Sequence, residues 1–258
     1  MEKITHIITL SGNSKRFTEK GYKHKSLCEM NGETTIEKFV KSWGDFNNPR
    51  YDNIFLCRDE DLDNLKDEVN KVAPDSSLIG IPKNDGGPVY SISKIFDKIE
   101  DDKPVLISYI DTLQKTSLDE MLTYFEGSDA GMTVHDFQNP HWRTSRSYCL
   151  VEADPLMNVT YVQEKYPFTD LDFKNPKMYG SSGNYFFKNG ILMKSAFLYL
   201  MRNDIRVNNE FYVTQAVEAM VEEGQSVKAY LCPYAALGIP EDLEDYAFWE
   251  RWHDKNIS

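Results

Sequence analysis

The chain has 258 residues, and its 41 Asp and Glu outnumber its 29 Lys and Arg, giving a formal net charge of −12 at pH 7. An acidic chain without a basic tail or stripe argues against nucleic acid as a partner. Its four scattered cysteines form no Cys-x-x-Cys pair, and no apolar run approaches the roughly 18 residues that cross a bilayer, so we expect a cytoplasmic protein without structural zinc, disulfides or membrane insertion.

Short β-rich apolar runs alternate with amphipathic segments through the first half of the chain. Their connections are short, and this order predicts a parallel, doubly wound α/β sheet flanked by helices. In such sheets, ligands bind outside the carboxyl ends of the strands. In chain order the predicted elements are strand 4–10, helix 34–43, strand 53–57, helix 59–72, strand 77–81, helix 86–99, strand 104–110 and helix 118–125.

In the second half of the chain, the predicted strands and helices do not alternate regularly. No internal repeat, low-complexity tract or linker interrupts it, so we expect a single domain that spans residues 1–258. Its predicted elements are strands 131–135, 148–152, 159–163 and 185–187, helices 191–201 and 210–223, strand 226–231 and helix 240–253.

The first strand ends in the small residues Ser-Gly-Asn-Ser at positions 11–14, and the cations Arg16 and Lys25 follow. Small residues let the backbone approach a ligand, and their N–H groups form anion-binding nests. Arg16 and Lys25 would then supply charge for phosphate oxygens. A solvated polar loop explains the same residues equally well, because one glycine makes neither a Rossmann fingerprint nor a P-loop.

Three later segments carry residue types that suit a ligand site. Asp111 closes the buried strand VLISYI and is placed as a Mg²⁺ ligand, although a simple Asx-turn is somewhat more common there. Glu164 and Lys165 follow a strand, where they would bind a hydroxyl and a phosphate or simply lie at the surface. Small residues around Gly183 suit close approach of a flat ligand, or a bulge or turn.

Taken in chain order, these segments resemble motifs of the sugar-1-phosphate nucleotidyltransferases, which make nucleotide-sugars. SGNSKRF and the later KSL resemble A-G-x-G-[ST]-R-[FL] and P-K-P-L. GETTIE resembles G-K-P-M-I-E, GPV stands where the family has G-T-A, and VLISYIDT resembles V-L-V-x-N-G-D-T. EKYP, SGNYFF and LGIPEDL resemble E-K-P, A-G-I-Y-x-F and x-G-T-P-E-D-L. IRVNNEFYVTQAV and the early GYK also resemble a branch associated with bacterial capsule and surface-polysaccharide gene sets.

This resemblance implies a Rossmann-like fold of the nucleotide-diphospho-sugar transferase type, with a mixed, mainly parallel sheet flanked by helices. It implies a nucleotide-binding half at 1–128 and an acceptor-binding half at 129–258. The implied reaction joins a nucleoside triphosphate to a sugar 1-phosphate and releases pyrophosphate, with Mg²⁺ as cofactor. The matching residues are Arg16, Lys25 and Asp111 for catalysis, Asp111 also for the metal, Ser11, Gly12, Asn13, Ser14 and Gly87 for the nucleotide, and Glu164, Lys165 and Gly183 for the acceptor.

The chain departs from the family pattern at the metal site and in the opening loop. Many relatives carry a second metal-binding Asp before the late Gly-Thr-Pro, where this chain has Ala236 or Leu237. Three alternatives therefore stay open: the ion rests on Asp111, phosphates and water, it uses another acid such as Glu210, or metal binding is weakened or lost. Ser14 replaces a loop glycine, and Lys25 lacks flanking prolines. Three other interpretations stay open: a cytidylyltransferase acting on a phosphorylated alcohol, a glycosyltransferase, or a non-catalytic nucleotide- or sugar-binding relative. The base is also open, and a homo-oligomer is compatible with the sequence.

Overall fold

The computed structural model describes residues 3–12, 14–136, 147–170 and 172–256. Short 3₁₀ turns precede or follow several of its helices. The helices and strands are β1 (Ile4–Thr9), α1 (Lys15–Glu19), β2 (Glu29–Met30), β3 (Glu33–Thr34), α2 (Thr35–Ser42), β4 (Tyr51–Arg58), α3 (Leu62–Val72), β5 (Ser77–Ile81), α4 (Gly87–Ser93), β6 (Val105–Tyr109), β7 (Thr112–Gln114), α5 (Leu118–Phe125), β8 (Ala130–His135), β9 (Ser147–Ala153), β10 (Val159–Pro167), β11 (Met178–Phe187), α6 (Gly190–Arg202), α7 (Val213–Glu222), β12 (Val227–Leu231), β13 (Tyr234–Ala236) and α8 (Pro240–Asn256).

A nine-stranded sheet runs through the molecule in the order β10-β9-β11-β6-β1-β4-β5, with β8 pairing with β11 and β12. Strand β1 is parallel to both β4 and β6, and β4 is parallel to β5. Strand β11 is antiparallel to β6, β8 and β9. The predicted α/β fold, with a mixed central sheet flanked by helices, is therefore confirmed.

The sheet is covered on both faces, which explains why its central strands are continuously apolar. In β1, Ile7 packs into one core with α4, α6 and α7. Ile4 and Ile8 point the opposite way, into a second core with α2, α3, α5 and α8. Because side chains alternate across a strand, one strand serves both cores.

The helix predicted over 86–99 is shorter than expected and ends at Ser93. The Ser93 hydroxyl donates to the Tyr90 carbonyl at 2.7 Å, which competes with helical bonding. Ile95 then leaves helical geometry (φ −120°) before a 3₁₀ turn at Phe96–Lys98. This break lets Ile95 and Ile99 enter the same core. Among the described helices, none is long and apolar enough to cross a membrane.

Gly190 opens α6 against the loop after α4, where there is no space for a side chain. A Cβ atom added there would lie 2.2 Å from the Glu100 carbonyl oxygen, and the next amide, of Ile191, donates to the Asp101 carbonyl at 3.0 Å. We expect Gly190→Ala to lower the free energy of unfolding by about 3 kcal/mol, because α6 must move away from this loop. Chemical denaturation measures the change.

Gly224→Ala is the matched control for that substitution. Gly224 has φ +77° but nothing within 4 Å of an added Cβ. Gly224→Ala should therefore lower the free energy of unfolding by only about 1 kcal/mol, the cost of the left-handed backbone conformation. Equal losses of unfolding free energy in Gly190→Ala and Gly224→Ala would show that the Glu100 carbonyl does not exclude a side chain at position 190.

Candidate active site

Two adjoining cavities open where β1, β4 and β6 end. The first, of about 490 Å³, is lined by the loop after β1 and the start of α4. The second, of about 550 Å³, is lined by β10 and β11. The residues that line both cavities, and so form their boundary, are Arg16, Tyr109, Asp111, Tyr212 and Gly238.

Most of the site residues predicted from the sequence line these cavities. Ser14 lines neither: it is buried at the start of α1, where its carbonyl accepts hydrogen bonds from the next turn. Asn13 lies outside the described residues. The first cavity is lined by Ser11, Gly12, Arg16, Lys25, Gly87 and Asp111, and the second by Arg16, Asp111, Glu164, Lys165 and Gly183.

An ion pair between Lys25 and Asp111 marks the boundary of the two cavities, with Nζ 2.8 Å from Oδ2. Their side chains stay 14% and 27% exposed, so both can meet a ligand. Burial alone would raise the pKa of Asp111, but the Lys25 ammonium outweighs it and holds that pKa below its ordinary value. Gly12 lies beside this pair, because a Cβ there would be 3.5 Å from Lys25 Nζ.

His24 fixes the turn that carries Lys25, a role that no sequence pattern indicated. Its Nδ1 accepts a hydrogen bond from the Ser26 amide at 3.1 Å, capping the 3₁₀ turn. Thr35 donates to the Lys25 carbonyl at 3.1 Å. Burial lowers the pKa of His24 to about 4, so the ring is neutral and Nδ1 is an acceptor at neutral pH. Side-chain hydrogen bonds thus hold a turn that in the related motif contains prolines.

The start of α4 is locked against the segment before α7. Gly87 has φ +83°, and a Cβ there would lie 2.8 Å from the Phe211 carbonyl oxygen. The Phe211 amide donates to the Gly86 carbonyl at 2.9 Å, and the Val89 amide donates to the Phe211 carbonyl at 3.1 Å. This docking also corrects the helix predicted over 210–223, which begins only at Val213.

Irregular strand pairing places the predicted acceptor residues in the second cavity. The ladder of β10 with β9 shifts between Gln163 and Tyr166, so Glu164 and Lys165 lie in a bulge, and Lys165 has φ +55°. Bulges redirect side chains in this way. The ladder of β11 shifts across Gly183, which has φ +86°.

Lys165 and Glu164 both line the second cavity and form an ion pair, with Nζ 3.7 Å from Oε1. Lys165 also lies over the Tyr212 ring, 5.3 Å from its centroid, a favourable cation–π distance. The Thr214 hydroxyl donates to the Glu164 carboxylate. Burial raises the pKa of Glu164, although its neighbours Thr214 and Lys165 oppose the shift.

Asp111 is the one acidic side chain of the described residues that lines both cavities. Ala236 does lie next to it, since β13 pairs Ala236 with Thr112 and the Leu237 amide donates to the Asp111 carbonyl at 2.8 Å. The described residues include no group of three or more His, Cys, Asp or Glu side chains that could hold a metal. A metal at this place would depend on Asp111 and on ligand oxygens.

Sequence reasoning missed several residues of these cavities, among them Arg58, Tyr109 and Tyr212. Arg58 ends β4, lines the first cavity and donates from Nε to the Ser11 carbonyl at 3.1 Å. The strand-end rule that selected Asp111 applies to Arg58 as well and would have found it. The same rule covers Tyr109, the last residue of β6. Sequence reasoning offers Glu210 only as an alternative acid for the metal, and no local signal marks Tyr212.

Comparison with known proteins identifies the family. A sequence model of the nucleotidyl transferases matches residues 43–254. The chain belongs to the nucleotidyl transferase family. This confirms the resemblance predicted from the ordered motifs and makes the protein an enzyme of nucleotidyl transfer. No curated protein sequence matches it.

Solved structures of other nucleotidyl transferases share the fold. A nucleoside-diphosphate-sugar pyrophosphorylase from Vibrio cholerae RC9 is 16% identical with a TM-score of 0.73, over 94% of this chain and 99% of that one. A UDP-glucose pyrophosphorylase complexed with UDP-glucose is 13% identical with a TM-score of 0.74, over 99% and 100%. An inositol-1-phosphate CTP transferase from T. maritima is 13% identical with a TM-score of 0.69, over 98% and 97%. At such identities the likeness establishes the fold.

Glu218 on α7, whose charge interacts with that of Glu164, gives the protein a pH-dependent stability. Burial, followed by the charges of Glu222 and Glu164, raises the pKa of Glu218 to about 7. A carboxyl group whose folded-state pKa is raised favours the folded state below its unfolded pKa, and this advantage is lost as pH rises through about 7. Glu218→Gln should therefore raise the melting temperature at pH 8 by at least about 2 °C and change it much less at pH 5.

Thermal unfolding at both pH values tests this expectation, with exposed Glu223→Gln as the control. An equal gain at pH 5 and pH 8, or the same gain for Glu223→Gln, would contradict the assignment to Glu218.

Proposed function

We propose that this nucleotidyl transferase joins a nucleoside triphosphate to a sugar 1-phosphate and releases pyrophosphate. The observation that carries the proposal is the Lys25–Asp111 pair at the boundary of two cavities. One cavity would hold the triphosphate and the other the phosphorylated acceptor, so the two reacting phosphates would meet at this pair. Holding two substrates in line is the main contribution a protein makes to such a reaction.

The first cavity suits a nucleoside triphosphate. The loop after β1 contributes Gly12, which leaves the backbone accessible, and the cations Arg16 of α1 and Lys25 of the following 3₁₀ turn line the same cavity. Gly87, which lines the same cavity at the start of α4, would face the base. Lys25 would neutralise the charge that grows around the α-phosphate in the transition state.

The second cavity suits a phosphorylated acceptor with hydroxyl groups. Lys165 provides a cation for the acceptor phosphate, and Glu164 provides carboxylate oxygens for hydroxyls. Gly183 would let the acceptor lie against β11. Arg16 lines both cavities and would contact phosphates of both substrates.

The reaction needs no covalent intermediate on the protein. An acceptor phosphate oxygen attacks the α-phosphorus and forms the new P–O bond, while the bond from that phosphorus to the β-bridging oxygen breaks and pyrophosphate leaves. Mg²⁺ commonly binds one or two carboxylates together with substrate phosphates, so the Asp111 carboxylate fits it without further protein ligands. Bound Mg²⁺ would neutralise charge on the phosphates.

The proposed setting is synthesis of bacterial capsule or surface polysaccharide in the cytoplasm. Support comes from the resemblance of IRVNNEFYVTQAV and the early GYK to that branch of the family. Which nucleotide-sugar is made depends on the base and acceptor that the two cavities accept.

Pyrophosphate release tests the proposal. We expect release with one of the four common triphosphates when Mg²⁺ and a sugar 1-phosphate are both present. Phosphorylated alcohols in the same panel test the alternative acceptor, and a nucleotide-sugar donor without triphosphate tests a glycosyltransferase. Tight triphosphate binding without turnover on any acceptor would point to a non-catalytic relative instead.

A further inference from the structure

A tight turn before α7 fixes the backbone of Glu210, which lines the first cavity. The Val207 amide donates to the Glu210 carbonyl and the Glu210 amide donates to the Val207 carbonyl, both at 3.0 Å. The two central residues, Asn208 and Asn209, have φ +53° and +67°. Positive φ at both positions defines a type I′ turn, for which Asn is well suited. The turn therefore fixes the position of the Glu210 backbone.

Phe211, the residue after Glu210, is fixed by contacts with the start of α4 and with Arg206. Phe211 exchanges two backbone hydrogen bonds with the Gly86–Val89 segment, and the Arg206 guanidinium lies over its ring at 4.8 Å. Glu210 consequently stands next to the start of α4, since a Cβ on Gly87 would lie 2.9 Å from the Glu210 Cβ. The carboxylate is thus fixed at a known place in the cavity wall.

One oxygen of this carboxylate is held and the other is available. The Tyr212 hydroxyl donates to Oε2. Within the described part of the chain, Oε1 has no hydrogen-bond or ion-pair partner, and no Lys or Arg forms an ion pair with Glu210. A carboxylate without a paired cation suits a neutral donor such as a hydroxyl group.

We propose that Glu210 accepts a hydrogen bond from the ribose 2′-hydroxyl of the triphosphate and so selects ribonucleotides over 2′-deoxyribonucleotides. This rests on the proposed function, in which Gly87 faces the base and Lys25 the α-phosphate. In a nucleotide, the ribose lies between the base and the phosphates. Glu210 lies beside Gly87, and both line the first cavity together with Tyr212. Losing a hydrogen bond to a charged group lowers affinity by about 10- to 100-fold.

Calorimetric titration of the 258-residue chain in Mg²⁺ tests this proposal without an acceptor. The probes are the best-bound common ribonucleoside triphosphate and its 2′-deoxy counterpart. We expect wild type to bind the ribonucleotide at least 10-fold more tightly. In Glu210→Ala the ratio should fall to within about twofold, with binding of the deoxynucleotide little changed. Asp85→Ala, an acid elsewhere in the same cavity, should keep the preference.

Three results would overturn the proposal. The first is equal binding of both nucleotides by wild type, and the second is a preference retained in Glu210→Ala. The third is equally weakened binding of both nucleotides in Glu210→Ala that more Mg²⁺ rescues, as expected for a metal ligand. Binding with the ribose preference but without pyrophosphate release would overturn only the proposed function. Binding of no triphosphate at all would overturn both.

Discussion

Lys25→Met and Asp111→Asn are each expected to lower turnover by about 100- to 1000-fold with the fold intact. These side chains lie 2.8 Å apart where the two cavities meet, so each substitution removes charge from the place where bond exchange is proposed. Pyrophosphate release in Mg²⁺, at saturating triphosphate and acceptor, gives the turnover numbers. Thermal unfolding shows whether each variant stays folded.

Lys23→Ala is the control for the loss of a cation, because Lys23 is exposed and lies two residues before Lys25. It should keep turnover within about twofold of wild type. If Lys25→Met or Asp111→Asn kept turnover within tenfold of wild type, the boundary of the two cavities would not be the place of reaction.

Gly87→Ala is expected to destabilise the protein by about 3 kcal/mol and to abolish measurable triphosphate binding. The new Cβ would require a left-handed alanine (φ +83°) and would approach the Phe211 carbonyl oxygen to 2.8 Å. Phe211 would have to leave the start of α4, breaking both backbone hydrogen bonds that join these segments. Denaturant unfolding and calorimetric titration with triphosphate measure the two effects.

Gly21→Ala separates the effect of that contact from the effect of backbone conformation. Gly21 has φ +88° with nothing within 4 Å of an added Cβ. Gly21→Ala should therefore lower the free energy of unfolding by only about 1 kcal/mol. Similar losses of unfolding free energy in Gly21→Ala and Gly87→Ala, with triphosphate binding preserved, would show that the contact between Phe211 and Gly87 contributes neither to stability nor to binding.

Elements with a strong local pattern could be predicted from the sequence. Strand 77–81 and helix 118–125 have the predicted bounds, the latter because the Ser117 hydroxyl caps α5 by accepting from the Glu120 amide at 3.0 Å. Strand β11 was predicted only over its aromatic end, 185–187, although it begins at Met178. Its Gly-Ser-Ser-Gly stretch is typical of a loop and becomes a strand because β6, β8 and β9 lie beside it.

The candidate site was predictable where it depends on strand ends. Lys25 and Asp111 lie far apart in sequence, but β1 and β6 are parallel neighbours in register, Thr9 opposite Tyr109. The segments that follow them therefore share one sheet edge. Glu210 was not predictable in this way, because the residues around it were assigned to a helix. Its position depends on the Asn-Asn turn and on docking against α4, which are contacts across distant parts of the chain.

Tracing the α-phosphate most directly tests the claim of nucleotidyl transfer. Triphosphate labelled at the α-phosphate would be incubated with Mg²⁺ and a sugar 1-phosphate, and the products separated and weighed by mass spectrometry. We predict that the label appears in a nucleoside diphosphate sugar, in which the labelled nucleoside monophosphate is joined to the phosphate of the acceptor, with one pyrophosphate released for each product. Label recovered only in unchanged triphosphate or in nucleoside monophosphate, with no acceptor-linked product for any base or acceptor, would contradict it.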